Sequence, residues 1–224
     1  SAYGVTLDYT APSGTTGALS PAAGNDTGTL GDNLTSDTTP TLTGTAEAGD
    51  KVEVTVNGKT YSTTADSTGH YSVTVPSSDA LTDGSYTPSI KVTDAAGNSS
   101  TTAGTAFTID TTAPAAPVIT TVTDNVGAVT GALTNGATTD DATPTVQGTA
   151  EAGSTVQIYD GATLLGSTTA DSNGQWSFTP ATGLTEGPHS FTAVATDAAG
   201  NRSGASSAYG VTLDYTAPSG TTGA

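Results

Sequence analysis

The chain has 224 residues with 28 Gly, no Cys and no Met, and 21 acidic side chains against 4 basic ones, giving a formal charge of −17. That balance excludes a nucleic-acid binder, which needs a basic stripe to meet phosphates, and the missing Cys excludes disulfide frameworks, thiol chemistry and thiolate zinc sites. With hydrophobic residues at 33%, low apolar content joined to high charge is the composition of a disordered chain, so a fold must be argued from pattern.

Residues 1–18, SAYGVTLDYTAPSGTTGA, return unchanged at 207–224, an offset of 206, as expected of an excerpt from a longer array. A shorter period lies inside it: TPT-x-x-GTAEAG runs from Thr39 to Gly49 and again from Thr143 to Gly153, an offset of 104. ADS-x-G recurs at Ala65 and Ala170, and TDAAGN at Thr93 and Thr196. Modules of about 100 residues read as beads on a string, because solenoid repeats run at roughly 20 to 50. The joints fall where a strand ends in Asp and a Pro stops further pairing: Asp8-Tyr-Thr-Ala-Pro, Asp110-Thr-Thr-Ala-Pro and Asp214-Tyr-Thr-Ala-Pro. We therefore expect residues 1–10 to be the last strand of a preceding repeat and its linker, 11–112 and 113–216 to be two domains, and 217–224 to start the next repeat.

In module one, Val52-Glu53-Val54-Thr55-Val56 and Tyr71-Ser72-Val73-Thr74-Val75 alternate with period two, as half-buried strands do, and Trp176-Ser177-Phe178 does the same in module two. Asn57-Gly58 and Asn173-Gly174 signal two-residue hairpins. Module two is expected to carry strands near 117–123, 143–150, 154–160, 163–170, 175–180, 188–197 and 205–214, with module one in the same register. No segment offers capped helical periodicity, and about seven short strands per module predict an all-β chain of two tandem Ig-like antiparallel β-sandwich domains. Inward positions look complementary: Ile90 and Val92 correspond to Ala193 and Ala195, while Tyr71 corresponds to Trp176. No apolar run approaches the roughly 20 residues that span a bilayer, so no membrane insertion is expected.

Antiparallel strands reverse direction, so turns alternate between the two poles of a module. Glu151, Asp171 and the Asp197 to Asn201 turn share the N-terminal pole of module two, where Asp110 arrives. The equivalent set in module one is Asp8, Glu47, Asp66, Asp94 and Asn98. At the opposite pole the connection before Thr39 carries Asp26, Asp32 and Asp37, and that of module two carries Asp124, Asp140 and Asp141. Two carboxylates 4 Å apart repel by about 4 kcal/mol at an effective dielectric of 20, and Lys51, Lys59, Lys91 and Arg202 cannot answer every joint. Carboxylates, amide oxygens and carbonyls are the donor set of Ca²⁺, so calcium is the expected cofactor at each junction, with the strand-ending Asp and the Asp-Ala-Ala-Gly-Asn turn as first ligands. The plainer alternative is a tight turn whose Asp accepts a backbone hydrogen bond and whose Gly takes positive φ, with no metal. His70 and His189 read as strand-edge or hairpin residues, Trp176 as core, and the neighbouring Asp140 and Asp141 point to opposite faces of a strand, which suits no acid–base pair.

TPT-x-x-GTAEAG, ADS-x-G-x-[YW]-S, TDAAGN and Asp-x-Thr-Ala-Pro, in that order and twice over, resemble the bacterial Ig-like tandem repeats of giant, type I-secreted RTX and biofilm-associated (Bap-like) adhesins. The resemblance implies a non-enzymatic extracellular extender on a bacterial cell surface. Its neighbouring repeats are joined by calcium, and it forms a stalk holding a distal adhesion domain in cell adhesion and biofilm formation. Module one departs from module two before Thr39, which leaves the ion count per module open. The competing reading is an adhesive module that recognises glycan or a partner surface through Trp176, Tyr159 or the polar loops. An ice-binding face lacks a regular Thr-x-Thr ladder. Self-association of modules is at most weak, since the charge opposes close approach unless calcium bridges the surfaces.

Overall fold

Gly and Asp punctuate this chain so often that few segments can extend beyond seven residues, and the structure, a computed structural model describing residues 4, 6–22, 24–128 and 130–216, is accordingly built of short strands. It divides into two compact units with the boundary between Thr112 and Ala113. The expected next repeat at 217–224 lies outside the described residues, as do 1–3 and 5; the described part of the expected first strand, Gly4 and residues 6–8, is exposed and unpaired in any sheet.

The first unit runs β1 (Ala18–Leu19), β2 (Leu34–Thr35), β3 (Thr41–Thr45), β4 (Lys51–Val56), β5 (Lys59–Thr64), β6 (His70–Thr74), β7 (Gly84–Tyr86), β8 (Ser89–Thr93), β9 (Ser99–Ala103) and β10 (Phe107–Ile109). Sheets form in the orders β1-β3-β6, β2-β10-β7 and β5-β4-β8-β9. Alternation on β4 buries Val52, Val54 and Val56 and turns Lys51, Glu53 and Thr55 outward. Val54 faces Ile90 across the β4–β8 ladder and Val52 faces Val92. Asn57 and Gly58 both take positive φ, 50° and 73°, which is the left-handed pair a tight β4–β5 hairpin requires.

The second unit runs β11 (Val118–Asp124), β12 (Gly131–Leu133), β13 (Ala137–Thr139), β14 (Thr145–Thr149), β15 (Thr155–Asp160), β16 (Thr163–Thr169), β17 (Gln175–Phe178), β18 (Gly187–Thr196) and β19 (Tyr209–Leu213). Its two sheets, β12-β11-β14-β17 and β13-β19-β18-β15-β16, close on one core. Val156 and Ile158 meet Ala195 and Ala193 in the β15–β18 register, the positions of Val92 and Ile90 in the first unit. Trp176 fills the space those alanines leave and is 4% exposed. Room for its ring comes from Gly148 in the GTAEAG motif, where a Cβ would stand 2.5 Å from the indole and 2.1 Å from the Val118 carbonyl. Gly44 does the same for Tyr71.

Three expectations are corrected. All seven strands named for module two are present, but β12 and β13 lie inside the connection taken as loop. The sandwiches are not wholly antiparallel, because β2 runs parallel to β10 and β13 parallel to β19; each long connection returns along the last strand of its unit. Asn173-Gly174 does not close a hairpin: β16 and β17 belong to different sheets, and the turn between them is held by the Asp171 carboxylate, which accepts from the Asn173 and Gln175 amides at 2.8 and 2.9 Å. No helix among the described residues is long and apolar enough to cross a membrane.

Candidate metal centre

At the N-terminal pole of the first unit, β8 ends at Thr93, and from Asp94 the chain turns through Gly97, whose φ of 96° suits glycine. Asp94 Oδ1 accepts from the Asn98 amide at 2.8 Å and Oδ2 from Asn98 Nδ2 at 2.9 Å. The Asn98 side chain, foremost, holds the Asp94 carboxyl below the usual range against a burial cost. Asn98 Nδ2 also donates to the Asp8 carbonyl at 3.1 Å, which brings the strand-ending motif to the TDAAGN turn within one unit. Glu47 stands at the turn before β4, where Oε1 accepts from the Ser13 amide at 3.2 Å.

Asp50, which sequence reasoning missed, lies between these groups. It is 7% exposed, and its Oδ2 is buried without a hydrogen-bond partner. Burial first, then the charges of Glu47 and Asp94, push its carboxyl above the usual range. Its place directly before the alternating run, three residues after Glu47, was the available signal: a carboxylate at a strand's first inward position. In the second unit the place is Ser154, whose hydroxyl closes on the Glu151 carbonyl at 2.7 Å.

The chain's cations are all engaged elsewhere. Lys51 and Lys91 meet Glu53 at 2.7 and 4.0 Å, and Lys59 meets Asp79 at 3.5 Å. Arg202 donates to the Tyr159 hydroxyl at 2.8 Å and lies over that ring. Lys51 adjoins Asp50 in sequence, yet strand alternation sends the two side chains to opposite faces.

Other predicted residues serve local turns. Asp66 accepts from the Thr68 hydroxyl, the Thr68 amide and the His70 amide at 2.6 to 3.0 Å, and the hydroxyl bond is the main cause of its depressed pKa. Asp171 accepts from the Asn173 and Gln175 amides, and Asp197 with Asn201 repeats the Asp94–Asn98 pairing at 2.8 and 2.9 Å. Asp8 and Asp110 each accept from the amide two residues on at 2.9 Å. These are the bonds of the metal-free turn. At the opposite pole of the first unit, Asp32 and Asp37 cap Leu34 and Thr39. Asp26 is 3% exposed: Oδ2 accepts from Gly31, whereas Oδ1 is buried without a partner. In the second unit Asp124 and the fully buried Asp141 are tied through Thr139, whose hydroxyl donates to Asp124 at 2.6 Å and accepts from the Asp141 amide at 3.1 Å. Asp140 is exposed, so the two neighbours do face apart.

The structure thus brings Glu47, Asp50, Asp94, Asn98 and the Asp8 carbonyl to one pole and leaves Asp66 in its own turn. As placed, no three Asp, Glu, His or Cys among the described residues form a group able to hold a metal ion. Asp50 nevertheless keeps a buried oxygen unanswered and stands under the charges of Glu47 and Asp94, a situation that a bound cation would relieve. The rings proposed for surface recognition are occupied: Trp176 belongs to the core, and Arg202 lies over Tyr159.

The model of a family described as bacterial Ig-like domain matches residues 13–111 and again 115–215. No curated protein sequence matches the chain. Among solved structures, a Ca²⁺-stabilized adhesin with which an Antarctic bacterium binds ice is 25% identical over 92% of this chain and 50% of its own, with a TM-score of 0.47. A 1.5-MDa bacterial ice-binding adhesin is 26% identical over 89% and 65%, with a TM-score of 0.42. A tetra-tandem repeat in the extending region of a large adhesion protein is 25% identical over 90% and 49%, with a TM-score of 0.34. The chain spans about half to two thirds of the length of these structures.

Proposed function

The chain belongs to the bacterial Ig-like domain family in both of its modules, and from that premise we propose that it is a non-enzymatic stretch of extracellular extender from a bacterial surface adhesin. In this reading Ca²⁺ binds at the joints and stiffens a stalk of neighbouring repeats. The stalk belongs to an RTX-type, type I-secreted parent and carries a distal adhesion domain outward in cell adhesion and biofilm formation. Residues 1–10 are then the last strand of a preceding repeat with its linker, and 217–224 the start of the next repeat.

The observation that carries the reading is the buried, unpartnered Asp50 oxygen beside Glu47 and Asp94, with every cationic side chain committed elsewhere. Asp50, Glu47, Asp94, the Asn98 amide oxygen and the Asp8 carbonyl are the residues that would hold the ion in the first module. The TDAAGN turn and Glu151 are their counterparts in the second. Bound calcium supplies positive charge and lets the carboxylates approach without repulsion. Extracellular calcium modules bind with Kd of about 10⁻⁴ to 10⁻³ M, and at ten times Kd linkage adds about 1.4 kcal/mol per site.

The test is thermal unfolding across a calcium titration, with magnesium as control, paired with small-angle scattering. A calcium-specific rise in Tm and a stiffer particle are expected. Superimposable melts and profiles in calcium and in chelator would sink the proposal.

A further inference from the structure

His189 lies near the start of β18 with its side chain 7% exposed and stacks on Phe191 with ring centroids 6.3 Å apart. Its Nε2 lies 2.7 Å from the Thr185 carbonyl and its Nδ1 lies 2.7 Å from Asp160 Oδ2. A carbonyl oxygen only accepts, so Nε2 carries a hydrogen. An ionised carboxylate also only accepts, so a bare Nδ1 would set two lone pairs against each other in a half-buried site. Asp160 cannot turn away, because its Oδ1 accepts from the Ser190 amide at 2.9 Å. The arrangement as built therefore holds a second proton.

Module one builds the same corner without one. Counted back from TDAAGN, Tyr86 takes the place of His189 and Thr82 that of Thr185; counted along the equal-length strands β4 and β15, Val56 takes the place of Asp160. Tyr86 donates its hydroxyl to the Thr82 carbonyl at 2.8 Å, the bond that His189 Nε2 makes to Thr185, and its ring stacks on Phe107 at 5.7 Å. Val56 is fully buried and uncharged. We propose that the His189–Asp160 pair is a proton-operated fastener, present in module two alone, that ties the β15–β16 turn and the loop before β18 to the sheet while the imidazole is charged and releases them when it is not.

Other titratable groups on the neighbouring elements are otherwise engaged. Glu186, next to Thr185, accepts from the Tyr215 amide and the Thr216 hydroxyl. Tyr209 on β19 donates to the Leu133 carbonyl, and Tyr159 beside Asp160 holds Arg202. Burial pulls the imidazole pKa down, but the Asp160 hydrogen bond, the Thr185 carbonyl and the Asp160 charge together outweigh it and hold the group above its ordinary value. For a raised histidine the stabilisation is complete below the unfolded-state value of about 6.5 and is lost as pH rises through the folded-state value. Module two should thus loosen from neutral to alkaline pH, independently of calcium and of the extender reading.

Trp176, the chain's one tryptophan, sits in the module-two core and reports that module alone. Two measurements decide the matter: nitrogen-15 NMR titration of the histidine rings in the unmodified chain, with His70→Gln to assign the signals, and tryptophan-detected melting at fixed calcium. The expected results are a His189 midpoint above about 6.5 and a melting midpoint that falls by about 5 °C between about pH 5.5 and 8.5. That pH slope should be absent when His189→Tyr and Asp160→Val install the module-one pair. A His189 midpoint at or below about 6.5, or the same slope with and without the double substitution, overturns the proposal; if the double variant does not fold, the NMR midpoint decides alone.

Discussion

The two modules solve the same packing problem with different volumes. On β8 module one places Ile90 and Val92 inward and needs only Tyr71 to complete its core, whereas module two places Ala193 and Ala195 on β18 and completes it with Trp176. Even the polar end differs: the Tyr71 hydroxyl donates to the Thr16 carbonyl at 2.6 Å, and the Trp176 ring nitrogen is buried without a partner. Aliphatic branching on one strand and ring size on the facing strand are therefore one variable, and the modules occupy its two ends. Their poles diverge in the same manner, with Asp50 against Ser154 and Val56 with Tyr86 against Asp160 with His189.

The comparison breaks most sharply at the rings. Trp176→Ala should cost about 3–5 kcal/mol and unfold module two selectively, as read by denaturant titration followed by circular dichroism. Trp176→Tyr alone should cost less, and adding Ala193→Ile with Ala195→Val should recover much of the loss if the cores are exchangeable. Gly148→Ala forces a Cβ against the Val118 carbonyl and the indole and should cost about 1–3 kcal/mol. Gly44→Ala, facing the Thr16 carbonyl and Tyr71, should match it.

At the poles the expected effects are smaller and change sign with calcium. In chelator, Asp50→Ser removes an unanswered buried carboxylate and should stabilise module one by about 1–3 kcal/mol. In millimolar calcium the same change should weaken binding about tenfold, a loss of about 1.4 kcal/mol, and Ser154→Asp should strengthen binding in module two. Calorimetric titration of both variants checks this; a loss of stability in chelator would show that Asp50 has a partner of its own.

The smallest effect concerns the exit from each module. The Thr111 and Thr112 hydroxyls and the Thr111 amide donate to Asp83 and hold its carboxyl below the usual range; Glu186 performs the same service for Tyr215 and Thr216. Because the Asp83 pKa is depressed in the folded state, its contribution exists above the unfolded value of about 3.9 and disappears as pH falls through the folded one. Asp83→Asn should flatten the acid limb of module one's stability curve and leave that of module two unchanged.

Period-two patterns and turn residues made many strands legible, since β4, β6 and β17 announce their buried faces in sequence. The strands β2, β12 and β13 were hidden because two or three residues carry no period, and because their partners lie far along the chain. The acidic turns were legible as a set, but their individual fates were not. Asp66 and Asp171 are spent on amides one turn away, a choice fixed by local backbone geometry. Asp50 escaped notice because an Asp after Gly reads as turn, whereas in the fold it is 7% exposed. The His189–Asp160 pair was invisible because its partners come from separate strands and a loop.

The place of the last strand in each sheet has a mechanical consequence. β10 lies between β2 and β7, and β19 between β13 and β18, so the strand through which the chain leaves each unit is hydrogen-bonded on both edges. Tension applied along such a strand loads both ladders in shear, and their bonds must fail together, not one after another as in an unzipping edge. The parallel pairings with β2 and β13, too short to matter much to equilibrium stability, add resistance where pulling force would enter.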